Sequence, residues 1–281
     1  MARYALLGAT LLFLQSAEAF LSAPQALRPL HASLLPNRLA CAGRPLSAKT
    51  PALRCSASTD ESFTTWIQEN GGKTSCIATT SSASGRGLTA KEAIKAGQEA
   101  CLVPVKLMMT EETALKALGG KAADLDAETA IALQLIKERS EGSSSFFAPW
   151  LAVLPTPEGL DVPLMWKEEE RAWLEGCKVG EDVEELSENL EDEFDQLVEG
   201  GWTKEMVPGL NLDSYRWATS VVSSRAISHP KLPGGVALVP LADFATHSSD
   251  GGKTEVSFEG MFREPHVRLR TGQAVEKGGG G

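Results

Sequence analysis

The periodicity of the chain changes twice, and that change limits the fold more than any single motif. From Cys76 to Val105 the apolar runs are short and broken by glycine: Cys76-Ile77-Ala78, a tight glycine turn at Ser84-Gly85-Arg86-Gly87-Leu88, then Ile94 to Gly97 and Ala100 to Val105. Such runs read as strands. From Leu107 to about Trp217 the apolar residues fall at helical spacing. After Pro230 strand-like runs return at Val236 to Leu241, Val256 to Phe258 and Val267 to Leu269. The expected architecture is α+β, a β core split by a mainly helical insertion. No internal repeat interrupts that order.

Individual helices can be placed within it. Residues 59–68 predict a short helix, capped by Thr59 or Asp60, with Phe63, Trp66 and Ile67 on one face and Gly71-Gly72 as its stop. In the insertion, a helix starts at Thr110 with a glutamate expected to close a capping box. Ala127 to Arg139 is a second helix, Phe146 to Pro155 a bend, and Lys167 to Glu175 a short acidic helix. Val183, Leu186, Leu190, Phe194 and Leu197 share one face of a longer one. Tyr215 to Ser224 starts another. Between Trp166 and Glu199 acids far outnumber bases, the pattern of a solvated helical surface; a docking face for a basic partner is the lesser reading.

The 281 residues carry a formal charge of −10, and the basic N-terminal stretch makes the rest more acidic still. Such a body repels a phosphate backbone, so a nucleic-acid partner is not expected. Five cysteines include no C-x-x-C pair; Cys76, Cys101 and Cys177 are far apart. Neither a metal site nor a disulfide framework is expected, and reduced thiols suit an intracellular or stromal compartment. Residues 1–19 read as a signal peptide: an apolar run at 5–14 follows Arg3, and Ala17-Glu18-Ala19 is a small-x-small cleavage pattern. The run is too short for a bilayer anchor, so no membrane association is expected of the mature form. Residues 20–58 begin with Phe20 and contain no acid, which is the chemistry of a disordered plastid transit peptide. The two-part leader resembles that of algae with complex plastids and implies the stroma; a secreted protein with a spacer is the alternative.

The stretch from Ser223 to Ser249 concentrates the chemistry. A Ser-Arg pair, Ser224-Arg225, precedes an apolar run that reads as a strand delivering Asp243, Thr246 and His247 into a turn. Polar groups at the end of an apolar strand are a common way to build a site. The stretch, with S-S-R-A and L-V-P-L-A-D-x-x-x-H, resembles the SET-domain core of the RuBisCO large-subunit N-methyltransferase-like family. The same family is resembled, in order, by Trp66 to Gly72, Gly85 to Ala90, Val103-Pro104, Ile131 to Glu138, Ser144 to Pro155, the Trp166 and Leu174 region and the C-terminal VRLRTGQAVEKG. The series covers about residues 63 to 275.

The resemblance implies a SET domain with its core at 59–106 and 219–281 and its insertion at 107–218. It implies methyl transfer from S-adenosylmethionine to a protein lysine, or in one branch of the wider family a histidine. RuBisCO large subunit or a plastid aldolase would be the protein substrate by analogy. The carried-over cofactor residues are Ser84, Gly85, Arg86, Arg225, Thr246 and His247; Ser224, Arg225, His229 and Asp243 border the substrate. The loop at 84–86, Arg225, Asp243 and His247 also have plain structural readings, as a turn between strands, a surface cation, a turn cap and a polar turn residue. Two departures stand out. Thr246 replaces the family's Asn, offering one hydroxyl where an amide offers an acceptor and two donors. The family's catalytic tyrosine belongs to a segment beyond the strand near Lys277-Gly278, and the two tyrosines present, Tyr4 and Tyr215, do not match its position. The expectation is a core truncated at its C-terminal part, in a fragment or a truncated gene model. The competing expectation is a non-catalytic SET-fold module that docks a protein. A histone-type enzyme is disfavoured by the leader and by the lack of flanking cysteine clusters.

Overall fold

Phe63, Trp66 and Ile67 recur at helical spacing, and all three are buried on one face of the first helix, α1 (Ala57–Glu69). The computed structural model describes residues 57–74, 76–82, 85–245, 254–259 and 265–279. The leader at 1–56 lies outside them. Helix α1 starts two residues before the expected boundary, so Thr59 and Asp60 sit inside its first turn, where Asp60 faces the positive helix end. The glycine pair ends it as expected. The Gly72 N–H donates to Ile67 O at 2.9 Å and the Gly71 N–H to Gln68 O at 3.0 Å, the paired bonds of a Schellman motif. Gly71 takes the left-handed φ of +85° that this motif needs. Gly72 is required for space: a Cβ there would lie 2.4 Å from Ile67 Cγ2 and 3.1 Å from Leu102 O.

The strands form three small antiparallel sheets. β1 (Ile77–Ser82) pairs with β2 (Gly85–Ala90), Ile77 opposite Ala90 and Ser82 opposite Gly85. The expected glycine turn is therefore corrected: Gly85 to Leu88 are paired strand residues, and only the short link at 83–84 joins the two strands. β3 (Glu99–Pro104) and β7 (Thr254–Glu259) flank β8 (His266–Thr271). Along β8 the even pattern of a half-buried strand appears: Val267, Leu269 and Thr271 face inward, while His266, Arg268 and Arg270 face out. Arg268 reaches Glu99 at 2.6 Å and Glu259 at 2.7 Å, and Arg270 reaches Glu259 at 2.9 Å, so the outer face carries a ladder of opposite charges. In the third sheet, β6 (Val236–Leu238) lies between β4 (Met109–Thr110) and β5 (Ile227–Ser228). β4 lies in the segment expected to be helical, so the first residues of the insertion belong to a sheet.

Thr110 then caps α2 (Glu111–Leu118). The capping box forms, but Thr113 closes it with its hydroxyl; neither Glu111 nor Glu112 stands at the third position. Helix α3 (Ala127–Glu141) is buried continuously from Ala130 to Ile136 and packs against α2 and α7 (Leu212–Arg225). Its one buried amide, Gln134, accepts from Thr113 Oγ1 at 3.0 Å. The bend expected at 146–155 holds the short helix α4 (Ala148–Leu151), and the acidic stretch folds as α5 (Glu168–Arg171) followed by α6 (Lys178–Glu199). On α6, Leu190 and Leu197 are buried as expected. Leu186 is 45% exposed, and the buried position beside it is Ser187. Helix α7 runs across the expected boundary at 218. Among the described residues no helix is long and apolar enough to cross a membrane.

Candidate active site

Arg225 reaches the site because α7 ends there. Asn211 caps the helix at its start, and fourteen residues later the chain leaves it at Ala226 in an extended conformation. A cation in the last turn suits the helix dipole. The chain then runs through β5 and β6 and turns sharply. The expected strand to Leu241 stops at Leu238, since Leu241, 2% exposed, takes φ +71° and ψ −45°. Among the described residues it is the one non-glycine residue with positive φ. Such a conformation costs on the order of 1–3 kcal/mol and persists only where the surroundings fix it.

Here they do. Residues 242–244 form a single 3₁₀ turn, bonded through Asp243 and packed through the Phe244 ring. The Asp243 N–H donates to Val239 O at 3.2 Å, and Asp243 O accepts from Arg225 Nη1 at 3.0 Å. Asp243 Oδ2 accepts from Trp150 Nε1 at 3.3 Å. The Phe244 ring meets Phe63 edge-on, with centroids 5.7 Å apart. Strand β2, which carries Gly85 and Arg86, lies against this turn. Two of the sequence-predicted site residues, Arg225 and Asp243, are thus bonded to each other, with the strand of Gly85 and Arg86 beside them. Arg225 also presents a buried Nε–H that has no hydrogen-bond acceptor among the described residues. A buried donor of this kind costs about 1–3 kcal/mol unless something accepts from it.

The remaining predicted residues separate. Ser224 is exposed, and its hydroxyl donates back to Ser220 O at 2.6 Å, a bond within its own helix. His229 accepts the Lys231 N–H on Nδ1 at 3.2 Å, and its ring lies 6.2 Å from that of Phe258. These contacts tie it to its own loop and to β7. Ser84, Thr246 and His247 lie outside the described residues. Trp150 lies inside the stretch that the sequence reads only as a bend, Phe146 to Pro155. The signal that could have singled it out is chemical: a deeply buried indole must find an acceptor for its one N–H.

Other titratable groups in the interior are structural. Burial pushes the Cys101 thiol up to about 12, which removes its nucleophilic form at neutral pH. Burial, and then the nearby Glu193, pushes the Tyr215 hydroxyl well above the ordinary phenol range; it lies 3.4 Å from Glu193 Oε2, between α7 and α6. Among the described residues no group of His, Cys, Asp and Glu could hold a metal ion.

No protein-family model matches the chain. It is similar to actin-histidine N-methyltransferases, 29% identical to that of Gallus gallus over 200 residues and 31% to that of Danio rerio over 181. These matches cover 66% and 59% of this chain, and 33% and 30% of those proteins. It is 30% identical over 174 residues to the chloroplastic [fructose-bisphosphate aldolase]-lysine N-methyltransferase of Arabidopsis thaliana, covering 58% of this chain and 34% of that one. The chain therefore spans about a third of the length of the curated relatives it matches. Among solved structures, the SET domain of LSMT bound to lysine and AdoHcy superposes with a TM-score of 0.72 at 23% identity, over 80% of this chain and 53% of that one. Rubisco LSMT bound to AdoMet gives 0.67 at 25% identity, over 79% and 51%. In sequence the chain is similar to lysine and histidine protein methyltransferases, and its fold is that of the SET domain.

Proposed function

We propose that the protein transfers a methyl group from S-adenosylmethionine to a lysine side chain of a plastid protein. The observation that carries the reading is the placement of Arg225. It is fixed by Asp243 O, flanked by β2, and still presents a buried Nε–H without an acceptor among the described residues. The amino-acid tail of the cofactor offers a carboxylate, the acceptor such a guanidinium takes in a charge-assisted bond. The residues present therefore fit the cofactor: Arg225 would hold the tail, and the backbone of Ser84, Gly85 and Arg86 would border it. When bound, the cofactor supplies an electrophilic methyl on a sulfonium, which departs as a neutral thioether.

The remaining work falls to the chain. A lysine ammonium has no lone pair and a reference pKa of about 10.4, so the amine must shed its proton before it attacks. The N–C bond then forms as the C–S bond breaks, and the proton goes to solvent. In the family the sequence resembles, the position matching Asp243 lies on the substrate side, those matching Ser224 and His229 border it, and those matching Thr246 and His247 serve the adenine. A carboxylate draws in the ammonium but opposes its deprotonation, so the bond from Trp150, which engages Oδ2, tempers that opposition. The acid-free stretch 20–58 supports a plastid substrate; RuBisCO large subunit or an aldolase is the first to try, by analogy with proteins the chain is similar to. A histidine acceptor is the second reading, favoured by the actin-histidine relatives.

Calorimetry with S-adenosylmethionine tests the cofactor reading. The chain should bind it, and Arg225→Ala should weaken binding by roughly 1.5–3 kcal/mol, the scale of a hydrogen bond to a charged group. Unchanged affinity in a folded variant removes Arg225 from the site. Mass spectrometry of stromal protein after incubation with chain and cofactor then separates methyl-lysine from methyl-histidine.

A further inference from the structure

Trp150 is fully buried, and its one polar atom is turned toward the Asp243 carboxylate. It is also anchored from behind. Glu138, near the end of α3, accepts from Ser145 Oγ at 2.6 Å, and Ser145 Oγ accepts the Phe147 N–H at 3.0 Å. Phe147 O in turn accepts the N–H groups of Trp150 and Leu151 at 2.9 Å, closing the turn that carries the indole. The Phe147 and Trp150 rings lie 6.1 Å apart, and Phe147 meets Trp66 of α1. A continuous line of bonds therefore runs from α3 through Ser145 and Phe147 to the indole and ends on Asp243.

We infer that Trp150 is a positioning residue, whose indole N–H fixes the Asp243 carboxylate and the Leu241–Phe244 turn and so sets the approach of the methyl acceptor. The inference rests on the methyltransferase reading above. Its physical ground is that the turn is strained at Leu241 and would relax if a hold were removed. Arg225 holds the backbone carbonyl of Asp243 and Phe63 meets the ring of Phe244, while the indole N–H reaches the carboxylate itself. Through Trp150 the helical segment, which supplies none of the sequence-predicted cofactor residues, acts on the reacting centre.

The test is Trp150→Phe, which keeps a buried ring and deletes the donor, measured by tritiated methyl transfer to stromal extract. The expected result is a kcat lowered about tenfold or more, with the KM for protein substrate changed less than threefold. In an Asp243→Asn background, the same substitution should then add less than a twofold loss, because two residues acting through one contact are not additive. A folded Trp150→Phe that turns over like the parent, or a loss repeated in full in the Asp243→Asn background, overturns the inference. A second readout needs no turnover. The indole N–H resonance of Trp150, identified by its absence in Trp150→Phe, should shift in Asp243→Asn; an unmoved resonance overturns the inference as well. Failure of the chain to bind S-adenosylmethionine in calorimetry would count against the methyltransferase reading, while the indole signal would still decide the Trp150–Asp243 link.

Discussion

Single residues carry most of the chemistry, and Thr246 is the one at which a small change should be informative. An asparagine at this position would add an amide with two donors and an acceptor. Thr246→Asn should tighten S-adenosylmethionine binding by about 0.5–1.5 kcal/mol, one neutral hydrogen bond, in calorimetry. A neutral or weakened result would show that the threonine serves a different local arrangement. Legibility at this scale was uneven. Arg225 and Asp243 were both marked in the sequence, and their bond to each other is local chemistry realised. The left-handed Leu241 was not marked. A leucine in an apolar run predicts a strand, and only the holds on the next three residues make a positive φ tolerable. Trp150 escaped for a related reason: its acceptor lies far away in the chain, and periodicity reports burial but not partners.

At the scale of elements, the two glycines after α1 have different tasks that substitution can separate. Gly72→Ala would drive a methyl into Ile67 and against the carbonyls of Ile67 and Leu102, so it should cost about 1–3 kcal/mol in urea unfolding, the range of an overpacked core. Gly71 has only Pro104 Cγ at 3.9 Å, and its demand is conformational. Gly71→Asn, which tolerates positive φ, should therefore cost clearly less than Gly72→Ala. The region where α6 packs on α7 and Glu193 nears Asp126 and Glu128 gives a pH-dependent counterpart. Partial burial, then Asp126, raises the Glu193 carboxyl above its ordinary value; partial burial, then Asp126 and Glu193, raises Glu128. The folded state therefore holds protons that the unfolded chain has released, and stability falls as pH rises through that window. Glu193→Gln should raise the melting temperature at pH 7, by the equivalent of about 0.3–1 kcal/mol at this solvent-accessible position, and the gain should vanish towards pH 4. An equal gain at both pH values would assign the effect to packing. The existence of these helices was legible from spacing, while their partners were not. Leu186 shares the apolar spacing of Leu190 yet stays exposed, because spacing defines a stripe and the neighbours decide how much of it is covered.

For the molecule as a whole, the order of strands, helices and strands was readable from the change of period. The pairing was not, since β3 joins β8 and β4 joins β6 across most of the chain and no local signal encodes such registers. The address is also a whole-molecule property and lies in the leader. Residues 1–58 fused to a fluorescent protein should deliver it to the plastid of an alga with complex plastids; secretion or a cytosolic signal would refute the stromal assignment. The same long-range pairing has a meaning in time. β3 is made early, and the strand that completes its ladder, β8, follows roughly 160 residues later. At about 5–20 residues per second, the half-built sheet waits on the order of 10–30 s for its central strand. During that interval the edge formed by Cys101 and Val103 has no β8 to close it. Synthesis thus imposes a vulnerable period on this protein, whose length is set by how much chain separates the two halves of one sheet.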